Sequence, residues 1–550
     1  MKTGLLFSGT ALLGLCLVSA FPGCGSSSNG NNASDGGQTG ETSTDSSGSS
    51  SGGDDGSSGD ANEESSGDTG VSCTATVMPT GKQIFASSTV TVQGVTSDGQ
   101  VIFYDGNTQK LNAVAIGGGN PSVMGSWDKS QSVIFTSNKA ALYWNGTGTQ
   151  TTNVKGALSI WTASGGNQAL GTASFFSAPG AGYVDVSADG SLVIYTDNVT
   201  SANADIYVAG TDGSNKVKLV SAASYGTNCR PVVRFAGNTA VVSYCTAQPD
   251  AGTTLTANVE AYSSAPTWQT KQSFATGDGF YGFSLGPIAG GDGGASGYNI
   301  AYLTNAGEYV EAIGGTTPTL IDAKGAGGGI FMHNGTDLIY FENDGSVWRS
   351  PIATPAPAEL ATGPYAGSLG LSSDDNWLEL YLSVDSTTQF TTDMYLVSTT
   401  PGADGGNAPF TLTNTTKGAN FGDAFTADNT HVLFFPNVVM SGSAGYVGAY
   451  DTFALPPPVG MMPKTIAQNV WEEFATSGAK TLYNDNYASN AGFAGAADIE
   501  AVDLAGTAMA TTLVSQADAN FFLTADKKTI VYSWSACPGA KDGIYTVAAP

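Results

Sequence analysis

Two histidines and six cysteines are the residues of this 550-residue chain whose side chains most readily bind metals or act as nucleophiles. His333 and His431 each lie beside a predicted turn, and two histidines are too few for a histidine-rich metal site. GFSLG at 282–286 matches the G-x-S-x-G pattern of a nucleophilic serine, and GDGFYG at 277–282 matches the G-x-G-x-x-G pattern of dinucleotide binding. Neither motif has the following helix that its chemistry needs, and 74 glycines make both expected by chance. We therefore predict no catalytic residue, no cofactor site and no metal site.

The amino-terminal segment, which contains the first two cysteines, indicates export. Residues 1–23 combine Lys2 with the apolar run GLLFSGTALLGLCLVSAF, the form of a bacterial signal peptide. Cleavage after Ala20 would leave five cysteines, an odd number, whereas acylation of Cys24 in FPGC would leave four for pairing. FPGC resembles the lipobox of bacterial lipoproteins. We expect Cys24 to be acylated and to anchor the protein in the cell envelope; secretion after cleavage at Ala20 is the alternative.

Four cysteines then remain for disulfides. Cys229 and Cys245 flank two apolar runs around a Gly-Asn turn, so a hairpin would bring them together. Cys73 and Cys537 lie at the two ends of the region that we expect to fold, and a bond between them would hold its termini. Because sequence does not give connectivity, four free buried thiols remain the alternative.

Residues 24–72 are predicted to be a tether. From residue 25 onward they contain Ser, Gly, Asp and Glu but no Lys, Arg or aromatic residue. Such a segment cannot bury enough apolar surface to offset its ordering entropy, and its random-coil reach is roughly 35 to 40 Å. It would hold the folded region, 73–550, away from a membrane. A plain linker in a secreted protein is the alternative.

Charge limits the partners. The chain has 19 Lys and Arg against 46 Asp and Glu, a net charge of −27. That balance repels phosphate backbones and anionic lipid surfaces. We therefore expect no nucleic-acid partner, and membrane contact only through the lipid anchor.

A turn followed by an apolar strand recurs along the folded region. In SADGSLVIYT (187–196) the Asp can bond back to its own backbone, the Gly supplies a positive φ, and the following run is β-branched and aromatic. Ten such pairs begin at residues 96, 126, 187, 236, 297, 333, 372, 426, 477 and 524. The Asp residues could in principle bind Ca²⁺, but one carboxylate per repeat is too few. We predict that they form turns.

A second element, a strand, a small-residue turn and another strand, repeats in phase with the first. Taking Trp161 and Tyr545 as equivalent positions, 384 residues cover eight repeats, which gives a period of 48. Four short strands per unit at such a period indicate the blades of a β-propeller. We expect an all-β fold of about ten units, in a single large ring or, alternatively, two rings. KQIFASSTVTV (82–92) is available to complete the last unit.

The unit resembles the PD40, or WD40-like, repeat of TolB-type propellers, whose pattern is a strand, S-P-D-G, an apolar strand, I-Y-x-x-D, a D-G or G-G turn and a final strand. Residues 187–220 match it closely, with Ala188 where Pro is usual; other copies carry Lys129, Asn429 or Lys527 in place of the Gly. The resemblance covers about 75–550 and implies the fold. It does not specify a function, because propellers host many.

Two functions remain open. The first is a lipid-anchored or secreted cell-envelope module that binds a protein or a glycan. The second is a propeller enzyme, such as a polysaccharide lyase or a lactonase-like hydrolase, which would need a metal or a carboxylate and histidine cluster at the ring axis. The two histidines favour the first. The eight tryptophans, among them Trp161, Trp348 and Trp377, are expected in the core rather than in a sugar-stacking platform.

Overall fold

The structure is a computed structural model, and every regular element in its described residues is a β-strand. The described residues are 78–128, 131–136, 139–145, 155–175, 182–200, 203–224, 231–247, 255–263, 267–278, 283–288, 297–304, 306–325, 329–384, 391–402, 408–413, 419–426, 428–441, 445–458, 462–471, 474–477, 480–488, 495–504, 509–518, 520–535 and 541–550. Within these ranges, no helix has the length and apolar character needed to cross a lipid bilayer.

In the described residues, forty strands form ten antiparallel units of four, numbered 1 to 10 along the chain. Units 1 to 3 are β2 (Val90–Val95), β3 (Gln100–Asp105), β4 (Lys110–Ala115) and β5 (Ser122–Ser126); β6 (Ile134–Phe135), β7 (Ala140–Asn145), β8 (Lys155–Thr162) and β9 (Gly166–Phe175); and β10 (Val184–Val186), β11 (Leu192–Asp197), β12 (Asn203–Gly210) and β13 (Val217–Ser224). Units 4 to 6 are β14 (Val232–Ala236), β15 (Thr239–Ala247), β16 (Leu255–Ser263) and β17 (Thr270–Asp278); β18 (Phe283–Pro287), β19 (Tyr298–Thr304), β20 (Gly307–Ala312) and β21 (Thr319–Asp322); and β22 (Ile330–Phe331), β23 (Asp337–Phe341), β24 (Val347–Pro351) and β25 (Ala358–Ala361).

The remaining strands complete the set. Units 7 to 9 are β26 (Gly367–Leu371), β27 (Trp377–Val384), β28 (Thr391–Ser398) and β29 (Phe410–Thr411); β30 (Ala419–Phe425), β31 (His431–Ser441), β32 (Gly445–Ala454) and β33 (Lys464–Trp471); and β34 (Phe474–Ser477), β35 (Lys480–Ala488), β36 (Ala496–Asp503) and β37 (Thr511–Asp518). Unit 10 is β38 (Phe521–Leu523), β39 (Thr529–Trp534), β40 (Gly543–Ala548) and β1 (Lys82–Ala86). Units 3 and 4 are joined into one sheet by the pair Ser224 and Cys245, and units 7 and 8 by Thr391 and Asn420.

The amino-terminal strand completes the last unit, as the sequence predicts. Lys82 of β1 pairs with Thr546 of β40, and Ala86 pairs with Gly543. The side chain of Ser535 also donates a hydrogen bond to the carbonyl oxygen of Val90, at 3.3 Å. Strand pairing therefore joins the two ends of the folded region. Cys73 and Cys537, which we expect to reinforce this closure, lie outside the described residues.

Buried apolar side chains form a separate cluster between each unit and the next. A tenth cluster, which contains Val531 and Val90, joins unit 10 to unit 1. Because each unit packs on the next and the last packs on the first, the ten units form one closed ring. The two faces of every sheet are thus buried, which explains why the second strands are nearly continuous apolar runs.

The predicted turns join the first and second strands of the units, with one correction. SWDKSQSVIFTS, which begins at residue 126, was expected to be such a turn and its strand, but it spans the end of β5, the connection between units and β6. The turn of unit 2 follows at Thr136, whose amide donates to the carbonyl of Ala140 at 2.9 Å. The prediction failed because TSNK lacks the Asp-Gly pair on which the repeat was recognised.

A β-bulge recurs between the third and fourth strands of nine units in the described residues. It directly precedes Tyr207 in unit 3 and Ser159 in unit 2. Trp161 therefore lies two residues beyond the position that corresponds to Tyr207, so the equivalence predicted for it is wrong in register. Tyr207 and Tyr545 do share the position, since each pairs with the central tyrosine of the second strand in its own unit.

Candidate functional site

The cysteines contribute little to a described site. Cys245 lies on β15, is buried and is disulfide-bonded. Cys229, the partner that we predict for it, lies outside the described residues, as do Cys24, Cys73 and Cys537. Both predicted pairings and the acylation of Cys24 therefore stay predictions.

The two histidines are held in separate turns, in units 6 and 8. Asp375 of unit 7 accepts hydrogen bonds from the backbone amides of His333 (2.7 Å) and Asn334 (2.9 Å) and contacts Nδ1 of His333 at 2.7 Å. His431 contacts the hydroxyl of Thr430 through Nδ1 at 3.0 Å, and burial lowers its pKa. Asp375 thus ties the turn of unit 6 to that of unit 7. The described residues contain no group of three or more His, Cys, Asp or Glu side chains that could hold a metal ion.

The two short motifs do not form the sites that they resemble. Four residues of GFSLG, 283–286, belong to β18, the first strand of unit 5, rather than to a turn before a helix. Gly277 and Asp278, which begin GDGFYG, end β17. The tryptophans are core residues, as predicted. Seven of the eight have described side chains; all seven are buried or packed against an inter-unit cluster, namely Trp127, Trp144, Trp161, Trp268, Trp348, Trp377 and Trp534.

The Asp residues of the repeated turns form hydrogen bonds within their own turns. Asp189 accepts from the hydroxyl of Ser187 at 2.7 Å and from the amide of Ser191 at 2.9 Å, and Ser187 accepts in turn from the amide of Leu192. Burial raises the pKa of Asp189, but hydrogen bonds from Ser187, Ser191 and Asn238 outweigh it and hold the pKa at about 2. The same hydroxyl-to-carboxylate bond recurs at Asp98, Asp374, Asp428 and Asp526.

Polar residues replace apolar ones on the first, innermost strands of three consecutive units. The position concerned pairs with the centre of the second strand. Its occupants in units 1 to 10 are Gly94, Ile134, Asp185, Arg234, Ser284, Ile330, Gly370, Ala424, Ala475 and Phe522. Asp185, Arg234 and Ser284 therefore occupy equivalent places in units 3, 4 and 5. Among the innermost-strand side chains that the structure describes, Asp185 and Arg234 are the charged ones.

The side chains of Asp185 and Arg234 lie at the edge between units 3 and 4. Asp185 accepts the backbone amide of Phe235 in unit 4 at 2.7 Å. Nη1 of Arg234 donates to the carbonyl of Val233 at 3.0 Å and lies beside Gly182 of unit 3, where a Cβ atom would be only 3.5 Å from it. We call Asp185, Arg234 and Ser284 the inner polar edge.

Partial burial sets the electrostatics of this edge. Burial raises the pKa of Asp185, while the amide of Phe235 and the charge of Arg234 act in the opposite direction. Burial lowers the pKa of Arg234, and Asp185 opposes that change. The hydroxyl oxygen of Ser284 is buried and has no hydrogen-bond partner in the described part of the chain. An edge with two opposite charges in neighbouring units and a buried hydroxyl without a described partner can bind a ligand that supplies hydrogen bonds.

The sequence contains the signal for this edge, although we did not recognise it. VDV and VVRFA each place one charged residue in the middle of an apolar strand, in consecutive repeats. The repeat is recognised by its turn and its second strand, and the first strands, some of them two residues long, are too short to show the same pattern.

A second group of carboxylates, in unit 9, has less support as a site. Asp485 and Asp498 are cross-strand partners, and Glu500 accepts hydrogen bonds from the hydroxyls of Tyr483 (3.0 Å) and Thr512 (3.1 Å). Burial raises the pKa of Asp485, and the charge of Asp498 raises it further. Backbone amides satisfy the first two carboxylates, from Asn486 at 2.8 Å and Gln516 at 2.9 Å. These bonds account for the group as part of the strand ends.

The chain is similar to known proteins at low sequence identity. No family model matches the chain, and no curated protein matches it. Similar solved structures include the tricorn protease (12% identity, 83% of this chain and 52% of that chain, TM-score 0.29), the Dos1 propeller (11%, 65% and 91%, 0.34) and the β-propeller domain of the Trilobed protease from Pyrococcus furiosus (10%, 69% and 94%, 0.30). The chain spans about half the length of the tricorn protease.

The closed ring of four-stranded antiparallel units defines this protein as a β-propeller. At these identities the likeness concerns the fold alone.

Proposed function

We propose that this protein is a cell-envelope binding module whose propeller, built from TolB-type repeats, holds a protein or glycan ligand at the inner polar edge. The observation that carries the proposal is the run of Asp185, Arg234 and Ser284 at one position in three consecutive units, where Ile134, Ile330 and Phe522 stand in others. Within this run, the hydroxyl of Ser284 is buried and has no hydrogen-bond partner in the described residues, and a polar group buried in that way costs free energy. A ligand that pairs with this hydroxyl would offset the cost.

The sequence supports the envelope location. Cys24 and the tether that follows would hold the ring on a membrane while leaving its edge accessible. Mass spectrometry of the mature amino terminus tests this part: we expect an acylated Cys24, and an unmodified chain that starts at Phe21 would contradict it.

The binding role is tested with the mature chain carrying Cys24→Ser, immobilised and exposed to solubilised envelope proteins and, separately, to purified envelope polysaccharide. We expect a ligand that the parent retains and that Arg234→Gln retains at least tenfold less, because the guanidinium supplies directed hydrogen bonds. Lys528→Gln, a change of the same charge at an exposed turn, is the matched control. Equal retention by all three proteins would contradict the site.

A propeller enzyme is the second candidate, and Asp185 is the observation that favours it. A partly buried carboxyl with a raised pKa beside an arginine is a plausible general acid or base. The captured ligand decides: cleavage during incubation with the parent, but not with Asp185→Asn, would indicate catalysis, whereas recovery of intact ligand would indicate binding alone.

A further inference from the structure

The interface between units 7 and 8 departs from the other nine. Each unit places the central residue of its second strand on the face toward the next unit. In nine units this residue is apolar and buried, namely Ile102, Leu142, Ile194, Val241, Ala301, Ile339, Leu433, Leu482 and Val531. In unit 7 it is Glu379, which is only 1% exposed. A carboxyl group therefore stands where the ring otherwise buries an aliphatic side chain.

The surroundings of Glu379 offer its carboxyl group few hydrogen-bond partners. It pairs with Gly370 on one side and Leu396 on the other, and Oε1 has no hydrogen-bond partner among the described atoms. Gly370 faces the ring of Phe425 from unit 8. The cluster at this interface, which includes Leu396, Phe434 and Phe453, is apolar and aromatic. Such an environment penalises a charged carboxylate far more than a neutral carboxylic acid.

The titratable groups around this interface are few. Asp451 lies opposite Phe434 on the face of unit 8 that meets unit 7. Burial raises its pKa as well, against a hydrogen bond from Thr465, and its Oδ1 is also unpaired in the described residues. Asp423 lies on β30, and its side chain is outside the described part of the chain. His431, at the start of β31, contacts Thr430.

Burial alone raises the pKa of Glu379 from the ordinary value of 4.5 to about 8. A carboxyl whose pKa is raised by folding keeps its proton in the folded state after the unfolded chain has lost it. Folding stability therefore falls as pH rises from about 4.5 to about 8, by close to tenfold in the unfolding equilibrium for each pH unit. Above about 8 the folded protein itself carries the buried charge.

We propose that the interface between units 7 and 8 is a proton-dependent latch: the proton on Glu379 keeps the two units packed, and its loss loosens them. The latch rests on the burial and position of Glu379, so it stands independently of any ligand at the inner polar edge. Its effect is local, since units 7 and 8 remain joined through Thr391 and Asn420 and through the strands of the ring.

Hydrogen exchange of the mature chain between pH 6 and 9, corrected for the intrinsic pH dependence of exchange, tests the latch. We expect peptides from β27 and β31 of the parent to exchange about tenfold faster at pH 9 than at pH 7. Those of Glu379→Gln, a neutral side chain of the same shape, should not accelerate. Peptides from β11 and β15, which contain the equivalent Ile194 and Val241, are the internal control.

Proton release on unfolding gives a second reading. At pH 6 to 7 the parent should release about one proton more than Glu379→Gln, because only the parent holds that proton when folded. Asp451→Asn separates the contribution of the other buried carboxyl. Parallel exchange profiles and equal proton release for the parent and Glu379→Gln would overturn the latch, and Glu379→Gln is close enough in shape to keep the ring folded.

Discussion

Units 3 and 4 and units 7 and 8 are the two places where neighbouring units share one sheet, and each place departs from the repeat in its own way. In units 3 and 4 the charged residues Asp185 and Arg234 stand on the innermost strands, and the second strands keep Ile194 and Val241. In units 7 and 8 the equivalent positions of the innermost strands hold the small residues Gly370 and Ala424, and the titratable group, Glu379, stands one strand further out.

This difference indicates that the strand on which a polar residue lies decides whether its partner is a ligand or a proton. A charge on the innermost strand lies at the edge where we propose that a ligand binds. A carboxyl on the second strand is enclosed between two sheets, where a proton is the one partner that it can take up easily. The same repeat can therefore carry a binding edge or a titrating latch, according to which strand departs from the apolar pattern.

A carboxyl introduced between units 3 and 4 should produce the largest loss of stability. Ile194→Glu places an unpartnered carboxyl in the interface of units 3 and 4, where Ile194 is fully buried. We expect a loss of about 3 kcal/mol or more of unfolding free energy at pH 8, and a smaller loss at pH 5, where the group is neutral. Urea unfolding at the two pH values measures it. A loss of the same size at both would mean that shape, and not charge, limits this position.

Removing the positive charge beside Asp185 should come next. Arg234→Met leaves Asp185 partly buried without the neighbouring cation, and we expect a cost of about 2 kcal/mol, below the range for fully buried pairs because both residues keep some exposure to solvent. The double variant Asp185→Val with Arg234→Met should cost less than Arg234→Met alone, since no charge is left behind. If the double variant is the less stable of the two, the pair is chiefly structural.

The turns should respond at acid pH. Because hydrogen bonds hold the pKa of Asp189 at about 2, its contribution is complete above the ordinary value of 3.8 and is lost as pH falls through about 2. We expect Asp189→Ala to cost about 1 kcal/mol at pH 7 and much less at pH 2. Exposure of this side chain to solvent keeps the effect small. An Asp189→Ala cost that does not change with pH would show that the charged form contributes nothing.

The smallest effect concerns the backbone of the turns. Lys527 occupies the position of Gly190 and has a φ of 56°, in the left-handed region that glycine adopts without strain. Lys527→Gly should raise the unfolding free energy by a few tenths to about 1 kcal/mol, because relief of strain exceeds the added entropy of the unfolded chain. Thermal unfolding measures the gain, and Lys528→Gly, at a position without positive φ, should lose stability instead.

Sequence predicted the repeat but not the residues that depart from it. The turns were visible because Asp189 and Gly190 have local roles that their own chemistry reveals, and the closing strand because the last repeat ends after its third strand. The roles that we assign to Arg234 and Glu379 depend on the residues that surround them across the interface between units. Glu379 looks like an ordinary polar alternation in WLELYLSV, and only its register with Gly370 and its burial against unit 8 mark it as unusual.

Photo-crosslinking in the native envelope tests most directly whether units 3 and 4 contact a ligand that units 7 and 8 do not contact. A photoreactive amino acid at Val232, on the innermost strand beside Arg234, is compared with one at Ser368, on the innermost strand of unit 7. We predict that a defined species crosslinks to position 232 and not to position 368, and that Arg234→Gln lowers the yield at least tenfold. Equal crosslinking from both positions, or a yield at 232 that Arg234→Gln leaves unchanged, would contradict the account.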